Sequence, residues 1–276
     1  MRAHQVWRIN GFTLIEMVTV ILILAIIVVG VSSFIIFGTR IFIESSSVDQ
    51  VLSQSRYGVE RMTRDIRSAV PNSARINTAS NGAFQCVEVL PIAASSTYLS
   101  APIAPDSASN NASVIASNHS IVAGNWAIVY PLTTTEIYNA TGTTAKRFQI
   151  SSANIINNQL DIVFTASVRF TEASPLNRMF FSEQPISYCF EKNTNGETAL
   201  YRYSNYGFNA IQPVPSSMSN RVLMAQNVAN DLLSEPALAL TPSSLITNAI
   251  IHIEPRFSVN GETFKYQHQV QVVNVP

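Results

Sequence analysis

Residues 17–39 contain no charged side chain, and residues 18–31 are almost wholly aliphatic. As an α-helix these 23 residues reach roughly 35 Å, enough to cross a hydrocarbon core of about 30 Å. The run predicts a membrane span. Arg2 and Arg8 precede it, whereas Arg40 is soon followed by Glu44. The bias of basic residues toward the cytoplasm therefore places the N-terminus inside and exports the C-terminal bulk.

Of the 276 residues, 47% are apolar and only 12% charged, too hydrophobic for a disordered chain and low in charge for a cytosolic enzyme. Lys plus Arg equals Asp plus Glu at 17 each. No broad basic field exists to neutralise phosphates, so nucleic acid is not an expected partner. With the first quarter read as one helix, about 200 residues remain for a single anchored domain.

The segment before the span, residues 1–11, is basic and has no apolar core of its own. An ordinary secretory signal is cut after its apolar stretch. Here the notable junction lies before it, at Gly11-Phe12-Thr13-Leu14-Ile15-Glu16. Followed by some twenty apolar residues, this hexapeptide closely resembles the class III signal of type IV prepilins and type II secretion pseudopilins.

The resemblance implies that a prepilin peptidase cuts between Gly11 and Phe12 and methylates the new N-terminus at Phe12, so that the span survives. It implies an α+β pilin-like fold, with a long N-terminal transmembrane and amphipathic helix packed on an antiparallel β-rich head. The expected partners are other pilin subunits, the peptidase, an inner-membrane assembly platform and, before assembly, the lipid bilayer. The head would be periplasmic, and the subunit would reach the pilus once assembled.

Glu16 has two readings. A carboxylate near the centre of a span costs on the order of 2.5–3.5 kcal/mol, so it needs a partner or an interfacial position. By the resemblance that partner is the methylated amine of Phe12 on a neighbouring subunit. Alternatively, Glu16 is a first-turn acid favoured by the helix dipole by about 0.3–1 kcal/mol.

The chain then divides into a cleaved leader (1–11), a transmembrane half-helix (12–39), an amphipathic half-helix (40–70) and a head (71–276). In the amphipathic part Val48, Leu52, Val59, Met62, Ile66 and Ala69 recur at helical spacing. Arg56 with Glu60, Glu60 with Arg64, and Arg61 with Asp65 are spaced to support a wet face. Pro71 ends the helix, whose length from Thr13 to Ala69 is roughly 85 Å.

Beyond it, residues 84–90, 126–130, 147–150, 160–164, 178–181, 186–191, 200–203, 250–253 and 264–275 read as strands. Asn260-Gly261 predicts a type I′ hairpin turn. Residues 93–120 and 212–220 read as irregular loops. Cys86 and Cys189 fall in two different strands. Export leaves two readings open: a bridge, which closes a loop of roughly 100 residues and stabilises by about 4–5 kcal/mol, or two buried free thiols.

No catalytic motif, metal-ligand spacing or cofactor fingerprint is legible; His119, His252 and His268 each stand without a second ligand at zinc spacing, so neither an enzyme nor a metal is expected. Tyr201 and Tyr203 share a strand face and offer two readings, an exposed platform for a surface glycan or a half-buried face against the helix.

Several stretches resemble minor pilins of the mannose-sensitive haemagglutinin (MSHA) pilus: residues 32–41, 59–67 before 70–73, the two cysteine strands, Tyr201-Arg202-Tyr203 and the 272–276 ending. That likeness implies a low-abundance subunit that helps initiate the pilus. The alternatives are a type II secretion minor pseudopilin and a tip adhesin. Many major pilins carry a proline in the second half of the span; this chain has Ser33 there and no proline before Pro71.

Overall fold

The computed structural model describes residues 11–116, 121–243 and 247–272. The chain divides into two compact units, Met1–Gln50 and Val51–Pro276. Helix α1 (Leu14–Arg67) contributes to both.

Within the first unit α1 exposes its apolar side chains throughout, and an 18-residue window reaches a mean hydropathy of 3.2 with none of it buried. Three hydroxyls in this stretch return to the helix backbone. Thr19 donates to the Glu16 carbonyl (3.0 Å), Ser33 to that of Val29 (3.0 Å), and Thr39 to that of Ile35. Lipid offers no competing partner, so satisfaction within the helix is what keeps a hydroxyl tolerable there.

The second unit is a β structure built on the last turns of α1. Its strands are β1 (Arg75–Thr78), β2 (Phe84–Val89), β3 (Ala94–Ser100), β4 (Ser109–Ile115), β5 (Trp126–Val129), β6 (Thr144–Ala145), β7 (Arg147–Ile156), β8 (Gln159–Phe170) and β9 (Arg178–Ser182). They continue with β10 (Ile186–Lys192), β11 (Thr198–Tyr203), β12 (Val222–Val228), β13 (Leu238–Thr241), β14 (Ala249–Ile253), β15 (Arg256–Val259), β16 (Glu262–Lys265) and β17 (His268–Val272). A short helix, α2 (Thr134–Tyr138), is opened by a Thr133/Glu136 capping box.

The main sheet has the order β1-β2-β10-β11-β12-β15-β16. One face carries Val87, Tyr188, Phe190 and Leu200, which share a core with Val59, Met62 and Ile66 of α1 and with Ile251 and Val270 of the small sheet β13-β14-β17. Met62 and Ile66 are fully buried, each burial contributing about 1.5–3 kcal/mol. Gly58 lets the helix come close: a β-carbon there would sit 3.3 Å from both Leu200 Cδ2 and the Met224 carbonyl oxygen.

β3 to β9 form a separate layer inserted between β2 and β10. The order β4-β3-β9-β5-β7-β8 is closed by pairing of β4 with β8, giving a six-stranded antiparallel barrel, with β6 added parallel to β8. Phe148, Phe164 and Phe170 fill its interior, their ring centroids 5.0–6.2 Å apart in edge-on geometry.

This insertion corrects the reading of residues 93–120 as an irregular loop, since β3 and β4 occupy most of its described part. Ala94, Ala112 and Val114 face the barrel interior, where the three phenylalanines supply the bulk; the strands lack the large apolar residues that mark strands in sequence. The segment 264–275 is also not one strand. It breaks between β16 and β17, and residues 273–275 lie outside the described ones. Residues 212–220 hold one 3₁₀ turn, Pro215–Ser217. Asn260 and Gly261, both at positive φ, join β15 to β16 as the hairpin reading requires.

Candidate functional site

The Gly11-Phe12-Thr13-Leu14-Ile15-Glu16 segment lies in the first unit. Gly11 and Phe12 precede the helix in exposed positions, Phe12 with 80% of its surface accessible. Thr13 caps α1: the backbone N–H of Glu16 donates to its carbonyl (3.1 Å) and its side-chain oxygen (3.4 Å). Glu16 is the third residue of the helix, so Thr13-Leu14-Ile15-Glu16 also has the form of a capping box, and the dipole favours the acid there. Within one chain Glu16 and Phe12 both sit exposed at the helix start. The leader residues 1–10 lie outside the described residues.

In the second unit Cys86 and Cys189 face each other across paired β2 and β10 and are bridged, with Cα atoms 4.0 Å apart. The bond sits where the chain leaves the main sheet for the barrel and where it returns. It closes 103 residues of separation at the neck of that insertion.

Around the bridge lies the face of the main sheet opposite α1. One row across the strands reads Arg75, Glu88, Ser187, Tyr203. Glu88 is fully buried, in contact with the Arg75 guanidinium, and accepts from the Tyr206 hydroxyl (3.1 Å). Burial nevertheless holds its carboxyl above the usual range, outweighing Arg75. Burial likewise pushes the Tyr203 and Tyr206 hydroxyls up, and Tyr203 donates to Glu191 (2.6 Å).

Residues 204–212 lie over this face as a strap. Arg75 donates to the carbonyls of Ala210 and Asn209 (both 2.8 Å), and Gln212 to that of Cys86 (3.2 Å). Phe208 reaches the barrel layer and packs on Trp126, with centroids 5.1 Å apart. Arg147 lies against both rings, 3.5 Å from the Phe208 centroid and 4.5 Å from that of Trp126. Burial lowers its pKa to about 10.

Neither reading of the tyrosine pair holds. Tyr203 is buried and Tyr201 half-buried under Arg221, which lies 3.6 Å above its ring. Both pack over the disulfide on the face away from α1, so Tyr203 is neither an exposed sugar platform nor a contact of the helix. Alternation placed them together; it could not say which face the helix covers.

Asp65 also differs from expectation. Its ion pair with Arg61 forms (3.2 Å), but it is no member of a wet face: Tyr188 donates to it (2.7 Å) and Arg202 lies at 3.4 Å. It pins the helix to β10 and β11. Arg56, Glu60 and Arg64 make no ion pair among the described residues. His119 lies outside the described residues. His252 meets the Thr241 hydroxyl (3.3 Å), and His268 opens β17.

Residues 8–32 match the prokaryotic N-terminal methylation motif. That match supports a type IV pilin-like protein with a class III signal, anchored by its apolar helix. It extends over the N-terminal segment and stops short of the head. No curated protein and no solved structure matches the chain.

Proposed function

We propose that the protein is a minor subunit of a type IV filament of the MSHA type, cut between Gly11 and Phe12, methylated at Phe12 and drawn from the membrane into the filament. The observation that carries this reading is the methylation motif over residues 8–32, followed by an apolar helix whose start holds Phe12 and Glu16 exposed. A motif of this kind points to a structural subunit rather than an enzyme. In the assembled filament Glu16 pairs with the methylated amine of a neighbour's Phe12, and that attraction brings apolar helices into register as they leave lipid.

Replacing Glu16 by Val tests this pairing. Processing stays intact while incorporation into filaments falls by at least about tenfold, read by immunoblotting sheared filaments against the membrane pool. Normal incorporation overturns the pairing. A type II secretion pseudopilin shares the same signal; loss of secretion with normal pili on deletion identifies that alternative. The adhesin alternative loses its Tyr203 platform to burial.

A further inference from the structure

Beside the outer side of α1 in the second unit lies a groove of about 710 Å³. One wall is a helical row, Arg56, Glu60, Arg64 and Arg67; the other is Tyr266, between β16 and β17, and His268, the first residue of β17. Three guanidinium groups against one carboxylate leave the lining positively charged at neutral pH. No carboxylate pairs with these arginines among the described residues.

The negative end of the helix dipole accounts for basic residues in the last turn, which suits Arg64 and Arg67. It does not reach Arg56, three turns earlier.

We propose that this groove docks an acidic segment of a partner protein. Its carboxylates take the arginine forks, and an apolar side chain between them covers Val59 and the Tyr266 ring. Arg56 and Arg67 are eleven residues apart, about 16 Å along the helix. A single phosphate or headgroup cannot span them, and a polypeptide bearing several carboxylates can. That the partner is a neighbouring filament subunit rests on the filament reading; that the groove takes an acidic peptide does not.

The test titrates the full-length protein, in detergent micelles at about 50 mM salt, into a fluorescein-labelled Asp-Leu-Glu-Leu-Asp-Leu-Glu peptide and its uncharged counterpart Asn-Leu-Gln-Leu-Asn-Leu-Gln. Anisotropy is expected to show binding of the acidic peptide, with the amide form weaker by at least about tenfold. Arg64→Ala with Arg67→Ala weakens it to a similar degree, with far-UV circular dichroism unchanged. Millimolar inorganic phosphate and phosphatidylglycerol vesicles leave the peptide bound. No binding, equal binding of the amide peptide, or indifference to the arginine pair overturns the proposal. So does displacement by phosphate or by vesicles, which makes the groove a small-anion or a lipid site. Peptide binding by a chain that is never processed at Phe12 leaves the groove standing and removes the filament; the converse separates the two in the other direction.

Discussion

Glu88 and Arg147 are both buried in the second unit, yet they meet the cost of burial differently. Glu88 has Arg75 and Tyr206; Arg147 has two aromatic rings and, at Nε and one terminal nitrogen, no hydrogen bond. Neither group is legible as buried in the sequence, because charge at a strand position reads as solvent-facing until the strap that covers it is known. Five tyrosines share the same consequence of burial: Tyr98, Tyr138, Tyr188, Tyr203 and Tyr206 are all pushed up in the fold. A group with a raised folded-state pKa gives its full contribution below its unfolded value and loses it as pH rises above that value. For tyrosine the unfolded value is about 10. The head is therefore expected to lose stability above about pH 10, with tyrosinate absorbance and loss of circular dichroism appearing together. Ionisation that precedes unfolding contradicts this account of their burial.

At the scale of elements, α1 and its docking were largely readable. Met62 and Ile66 fall where the helical period places them, and the Asn260-Gly261 turn follows from the positive φ that both residues tolerate. Gly58 carried no such signal, because its role depends on how closely β11 and β12 approach the helix. Gly58→Val is expected to destabilise the head by about 1–3 kcal/mol through overpacking against Leu200 and Met224, measured by denaturant midpoint. A neutral effect means the helix sits further from the sheet. The barrel was the element least visible. Strands such as Ser109–Ile115 carry serine and asparagine outward and small residues inward, so neither hydrophobicity nor β-propensity marks them. The disulfide could be suspected from export, but its place at the neck of an insertion needed the register of β2 with β10. Replacing Cys86 and Cys189 together by Ala is expected to cost about 2–5 kcal/mol, lowering the denaturation midpoint. A loss below about 1 kcal/mol contradicts the clamp.

At the scale of the molecule, one unit is an exposed apolar helix suited to lipid and the other is a folded β structure. The hydropathy and uncharged length of residues 17–39 made the long exposed apolar helix of the first readable. The second was readable as β-rich, and its split into a main sheet and a barrel was not, since sequence periodicity says nothing about which strands close on one another. Function follows the first unit: the methylation motif and the exposed helix start support a pilin-like subunit.

The central claim is that this chain is a processed filament subunit, and intact-mass and N-terminal analysis of the membrane-extracted protein, with and without the host's prepilin peptidase, tests it most directly. The account predicts a mature chain beginning at methylated Phe12 only when the peptidase is present. A chain that begins at Met1, or one cut after the apolar run, contradicts it.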